Sequence, residues 1–238
     1  MNSSVPTALN SVSFLFEMTI LGKITESTSP KIMSISKMYS EKLIIFTRYP
    51  VPGKTKTRLI PVLGEEGATK LHRQLTEKTI STAQKLVFYH PLSLEIHFAG
   101  GTKNLMKNWL GDTFIYQLQP DGDLGERMTI SFQKSFQCGY EKVIIIGTDC
   151  PTLKHNILRE AFEALNQNEL VLGPAEDGGY YLIGLRHFIP QLFQNITWGT
   201  SSVLEQTNAI ALSRDLSIAY LPILADIDRP EDLSLLDF

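Results

Sequence analysis

Three cations on one short loop and three aspartates elsewhere carry the side-chain chemistry of this sequence. Lys54, Lys56 and Arg58 alternate with Thr55 and Thr57 in R-Y-P-V-P-G-K-T-K-T-R-L, residues 48–59, where two prolines and a glycine prevent regular structure. Such a loop can cradle phosphates: backbone N–H groups and threonine hydroxyls donate, while lysine and the arginine fork neutralise charge. The plainer alternative is a solvated basic loop, and the G-x-x-x-x-G-K spacing of a Walker motif is absent. Asp149 follows a β-branched run in V-I-I-I-G-T-D-C-P, while Asp226 and Asp228 alternate in L-A-D-I-D-R-P-E-D-L. A carboxylate at the end of a rigid apolar strand is a candidate for holding a metal or a substrate; the rival reading makes Asp149 the cap of a helix starting near Leu153. In extended chain Asp226 and Asp228 point to opposite sides, so one of them is expected to face any given metal.

The elements that must position these groups read as alternating strands and helices. Residues 143–146 have no polar face, which suits a central strand buried on both sides of a parallel sheet, and residues 42–47 form a second such strand. Gly147 and Thr148 end the central strand and Pro151 turns the chain, so Asp149 sits at a carboxyl end, where open α/β sheets bind ligands. Apolar spacing predicts helices over 65–88, 105–110, 153–165 and 203–212, and another carrying Ile130, Phe132 and Phe136. Strands are expected at 92–99, 114–118, 169–172, after Tyr180, and at 217–221, with a last helix opening at Arg229-Pro230. This rhythm is that of a three-layer α/β/α fold with a mostly parallel central sheet. Asp123 is a candidate N-cap; Glu126 and Arg127 either pair or face a cleft; Gly178 and Gly179 permit a tight turn or close ligand approach; and Trp198 is a core aromatic or a stacking platform.

At 238 residues, 43% hydrophobic and 20% charged, the chain can bury one large core. Residues 1–40 read as a disordered, Ser- and Thr-rich extension and residues 41–238 as a single domain; Met38, just ahead of the first strand, is a second candidate start of translation. A net charge of -3 supplies no basic field for nucleic acid and no polybasic membrane patch, and no apolar run reaches the roughly 20 residues of a membrane helix. Cys138 and Cys150 have neither C-x-x-C spacing nor histidine companions, which disfavours a disulfide framework or a zinc site and fits a reducing cytoplasm.

Five ordered stretches then carry a resemblance: P-x-P-G-K-x-K-T-R-L (50–59), D-L-G-E-R-M (123–128), G-T-D-C-P-x-L (147–153), G-P-A-x-D-G-G-Y-Y-L-I-G-L (173–185) and W-G-T-S-x-V-L (198–204). Over residues 41–232 the chain resembles GT-A-like transferases of the nucleotide-diphospho-sugar transferase superfamily, a family associated by name with radical-SAM/selenodomain proteins and arsenosugar biosynthesis. More distantly it is similar to the guanylyltransferases of 2-phospholactate and of molybdenum cofactor. The resemblance implies a GT-A-like fold and a nucleotide-binding loop of Pro52, Gly53, Lys56, Thr57 and Arg58, with Lys56 and Arg58 as the charged contacts. It further implies a divalent cation, Mg²⁺ or Mn²⁺, on Asp149 and Asp228, and Asp177 as base or acceptor ligand. The departure is at Asp149, where Cys-Pro follows and no D-x-D motif stands.

Two reactions fit these residues. In one, an acceptor hydroxyl attacks the anomeric carbon of a nucleotide sugar and a nucleoside diphosphate leaves; in the other, an acceptor phosphate attacks a nucleoside triphosphate and diphosphate leaves. Both build negative charge on phosphate oxygens that cations must offset. The arsenosugar association is carried by the family's name and by none of these residues.

Overall fold

The computed structural model describes residues 39–236, so residues 1–38, nearly all of the expected extension, lie outside the described residues. The strands are β1 (Glu41–Arg48), β2 (Ser93–Ala99), β3 (Ile115–Leu118), β4 (Lys142–Ile146), β5 (Leu170–Pro174), β6 (Tyr180–Leu185) and β7 (Ile218–Tyr220). The helices are α1 (Ile60–Tyr89), α2 (Lys103–Leu110), α3 (Leu124–Gln137), α4 (His155–Ala164) and α5 (Val203–Leu212). One seven-stranded sheet runs in the order β3-β2-β1-β4-β6-β5-β7. The β-branched runs of β1 and β4 pair in parallel at its centre.

Side-chain alternation along these two strands supplies both faces of the core. Leu43, Ile45, Ile144 and Ile146 pack with Ile80, Ala83 and Leu86 of α1 and Leu158, Ala161 and Phe162 of α4. Ile44, Val143 and Ile145 go to the other face, against Met128 and Phe132 of α3. Each fully buried aliphatic side chain contributes about 1.5–3 kcal/mol before the entropy of ordering it is subtracted. The three-layer expectation is met, and among the described residues no helix is long and apolar enough to cross a membrane.

Four strand pairings are parallel, and the two antiparallel ones both belong to β6. A tight turn after β5, closed by Ala175 N–H to the Gly179 carbonyl at 3.0 Å, sends β6 back between β5 and β4. The start of β6 therefore lies beside the end of β4, and the Gly147 N–H donates to the Tyr181 carbonyl at 3.0 Å. Two further details differ from the sequence reading. The helix expected over 65–88 is preceded by an extra turn from Ile60, broken where Gly64 takes φ 69° and ψ 171°. The last helix is a 3₁₀ segment, Pro230–Leu235.

On the α3 side, β2 buries polar residues instead of aliphatic ones. Lys42 Nζ lies 2.7 Å from Glu95 Oε1, Glu95 Oε2 is 3.0 Å from His97 Nε2, and His97 Nδ1 is 3.0 Å from Ser131 Oγ. Burial lowers the His97 pKa, so the ring is neutral, donating from Nε2 to Glu95 and accepting the Ser131 hydroxyl at Nδ1.

Candidate active site

The loop after β1 is fixed at both ends before it presents any charge. Gly53 turns at φ 75°, the Lys54 N–H donates to the Val51 carbonyl at 3.0 Å, and the buried Thr55 hydroxyl lies 3.3 Å from that of Thr69 on α1. Lys56 then takes φ 48° and ψ 45°, a left-handed conformation that is uncommon for a lysine and is held only where the surroundings determine it. The following Leu59 is fully buried with Ala68, Leu71 and Leu75 of α1 and with Ile227 from the chain beyond β7. This small apolar cluster ties the cationic loop to the acidic segment 226–228.

That tie brings the charges together. Lys56 Nζ is 2.8 Å from Asp149 Oδ1 and 3.9 Å from Asp228 Oδ1, and it donates to the Ile227 carbonyl. Arg58 Nη1 donates to Asp228 Oδ2. The Lys56 side chain is only 4% exposed, whereas Arg58 is 56% exposed and Asp149 46%. Asp149 projects from the end of β4 and is not a cap: the N-cap of α4 is Lys154. Its backbone carbonyl instead accepts the Ile227 N–H at 2.9 Å. The adjoining Cys150 is buried, and burial followed by the nearby Asp226 pushes its thiol pKa far up, so it is a packing residue.

Asp226 and Asp228 do diverge, as alternation requires. Asp228 meets the two cations, while Asp226 lies among acids: burial, then Asp177, with further contributions from Asp149 and Asp228, raises its carboxyl pKa to about 6. Asp177 sits on the turn between β5 and β6, where its Oδ1 accepts the Gly179 N–H at 2.8 Å. The neighbouring Gly178, at φ 89°, has no room for a side chain, since a Cβ there would stand 2.1 Å from the Ser201 carbonyl oxygen. Trp198 packs against Gly125, where a Cβ would meet the indole at 2.6 Å, and edge-on to Tyr180 at 6.5 Å. It is a packing aromatic.

A cleft of about 540 Å³ opens over these groups and is lined by Lys56, Thr57, Arg58, Asp149 and Asp228 together. Pro52 and Gly53 do not line it: Pro52 faces a neighbouring groove with Thr69 and Arg73, and Gly53 shapes the turn. Three polar wall residues, Arg48, His72 and Gln119, had no assignment from sequence, while Arg127 takes the cleft-facing alternative of its two readings. The Gln119 amide donates to the carbonyls of Thr47 and His97 at 3.3 and 2.9 Å, bridging β1 and β2. Burial lowers the pKa of His72, whose Nε2–H donates to the Arg48 carbonyl at 2.9 Å. Asp123 and Glu126 form a reciprocal capping box at the start of α3, which occupies Glu126 and leaves Arg127 to the cleft. The D-L-G-E-R motif held the signal for Arg127; for Gln119 no local signal exists.

Among the described residues no three His, Cys, Asp or Glu side chains converge closely enough to form a metal cage. Two carboxylates are nevertheless a suitable contribution for a hard cation that takes its remaining oxygens from phosphate and water.

A family described as an uncharacterized protein conserved in bacteria (DUF2064) matches residues 82–200. A structure from Desulfovibrio desulfuricans G20, provisionally named a nucleotide-diphospho-sugar transferase, is 34% identical with a TM-score of 0.73, covering 81% of this chain and 84% of that one. Glucosyl-3-phosphoglycerate synthase from Mycobacterium tuberculosis, solved with Mg²⁺ and UDP, is 11% identical with a TM-score of 0.52 over 89% of this chain and 79% of that one. CMP:2-keto-3-deoxy-manno-octonic acid synthetase, solved with CTP, is also 11% identical, with a TM-score of 0.51 over 82% and 96%. The latter two share the fold alone, and no curated relative matches the chain.

Proposed function

We propose, for a chain that belongs to the DUF2064 family of proteins conserved in bacteria and shares the fold of nucleotide-diphospho-sugar transferases, a divalent-metal-assisted glycosyl transfer. The donor is a nucleotide-diphosphate sugar and the acceptor a hydroxyl of a small molecule. The observation that carries this reading is the meeting of Lys56 and Arg58 with Asp149 and Asp228 at the carboxyl ends of β1 and β4. Arg58, largely exposed, is suited to leave Asp228 for a phosphate oxygen, and the backbone of residues 54–58 would cradle the diphosphate with the Thr57 hydroxyl. Asp149 and Asp228 would hold Mg²⁺ or Mn²⁺, which when bound supplies positive charge to the departing diphosphate. Asp177 is assigned to the acceptor side as base or acceptor ligand: the Gly179 N–H fixes one of its oxygens and leaves the other for a substrate hydroxyl. The name of the family that the sequence resembles points toward arsenosugars, an association that no residue of the cleft itself carries. The free thiols Cys138 and Cys150 are compatible with work in the cytoplasm.

A second reading, nucleotidyl transfer, is favoured by the cation count of the cleft. Arg48, Lys54, Lys56, Arg58 and Arg127 line it against only two acids, a surplus that also suits a triphosphate. Phosphorus NMR of the full chain with Mg²⁺, nucleotide sugars or nucleoside triphosphates, and a cell extract as acceptor source separates the two. A nucleoside diphosphate released from one sugar donor supports glycosyl transfer, whereas inorganic diphosphate released from a triphosphate replaces it with nucleotidyl transfer.

A further inference from the structure

Lys56 stands where a cation shared by Asp149 and Asp228 would stand. Its ammonium lies 2.8 Å from Asp149 Oδ1, donates to the Ile227 carbonyl, and faces Asp228 Oδ1 across 3.9 Å, a charge contact without a hydrogen bond. Arg58 covers the other Asp228 oxygen. The two acids are thus neutralised by the chain's own cations. The arrangement is also built and not incidental, since the Lys56 backbone is left-handed and the adjoining Leu59 and Ile227 are packed together without exposure.

We propose that Lys56 is a tethered counter-ion that keeps the two acids closed to divalent metal until an anionic phosphate offers its ammonium another partner, so that metal uptake depends on nucleotide. The inference rests on the reading of Asp149 and Asp228 as metal-facing acids. Its physical basis is exclusion: an ammonium within 3–4 Å of both carboxylates repels a divalent ion from the same oxygens, and in a partly buried site that repulsion is weakly screened. A phosphate entering the cleft carries the charge needed to draw Lys56 outward, and the acids are then uncovered in the presence of the group whose oxygens complete the coordination. Lys56 is in this sense a positioning residue that sets the order in which metal and nucleotide bind.

The test uses Mn²⁺ alone, titrated into the full chain without nucleotide and followed by the electron paramagnetic resonance of free Mn²⁺. Lys56→Asn removes the ammonium and keeps a residue that tolerates the left-handed backbone. We expect it to bind Mn²⁺ about tenfold tighter than the wild type, or more. Lys56→Arg keeps the charge and is expected to stay weak, and adding Asp149→Asn to Lys56→Asn is expected to abolish the gain. Lys56→Gly replaces Lys56→Asn if thermal unfolding shows that variant to be misfolded. Equal affinity in wild type and Lys56→Asn overturns the proposal. So does equal tightening in Lys56→Arg, which would mark a loosened loop, and so does a gain that survives Asp149→Asn, which would place the metal elsewhere. No nucleotide enters the measurement, so a failure of the proposed transfer reaction shows separately, in the phosphorus NMR assay.

Discussion

The backbone N–H of Ile227 donates to the carbonyl oxygen of Asp149 at 2.9 Å, which joins the chain beyond β7 to the end of β4 at the residue whose side chain faces the cleft. Ile227 is fully buried against Leu59, so one residue couples the cationic loop, the strand-end acid and Asp228. Replacing Ile227 by Ala is expected to cost roughly 2–4 kcal/mol through the cavity it leaves. Denaturant unfolding measures that cost, and nucleotide affinity should fall in the same variant because the loop and the acids lose their common support.

Asp149→Asn should lower turnover by about 100-fold or more while the thermal midpoint stays near that of the wild type. The side chain projects into the cleft and not into the core, so catalysis and folding separate here. Initial rates by phosphorus NMR, set beside circular dichroism melts, give both quantities. Wild-type turnover in this variant would remove Asp149 from the mechanism.

Charge reversal at Arg58 should weaken nucleotide binding by about tenfold or more, since a guanidinium facing phosphate becomes a carboxylate. Arg58 is largely solvent-exposed, so stability should move little. Isothermal titration with the donor found in the NMR panel measures the first effect and a melt the second. A change confined to stability would make the loop structural.

Gly178→Ala places a methyl group 2.1 Å from a backbone oxygen at φ 89°, and the turn must shift to admit it. A loss of about 1–3 kcal/mol is expected, together with lower activity as Asp177 moves with the turn. Urea unfolding and the transfer assay test the two parts.

His97 gives a pH dependence with a definite sign. Burial lowers its folded pKa below the ordinary 6.5, so the unfolded chain binds a proton that the folded chain refuses. Stability is therefore retained above about pH 6.5 and lost as pH falls below that value towards the folded pKa. Melts of the wild type and of His97→Gln between pH 7.5 and 5 should show a shallower acid loss in the variant; identical slopes would assign the effect to other groups.

Strand cores and motif positions were legible because each depends on a local pattern. The runs at 42–47 and 143–146 read as buried strands and Asp123 as a candidate cap, but Glu126, read as pairing with Arg127 or facing a cleft, instead closes the capping box with Asp123. The direction of β6 was not legible: an apolar strand after two glycines fits a crossover as well as a hairpin, and the turn at Gly178 decided it. The contact of Lys56 with Asp149 was equally hidden, since it depends on a backbone conformation that lysine rarely adopts and on the packing of Leu59 with Ile227. Gln119 was missed because its role is to bridge two strands that are distant in sequence.

The bond from Lys56 to the Ile227 carbonyl spans 171 residues. Contacts of that range pay their loop-closure entropy late, after the central strands have paired. The segment bearing Asp228 is therefore expected to join the cationic loop late, after the pairing of β1 with β4 has already brought that loop beside Asp149. In the native protein the same contact is expected to be an early one to break, so hydrogen exchange should register opening around residues 56 and 227 before β1 and β4 exchange.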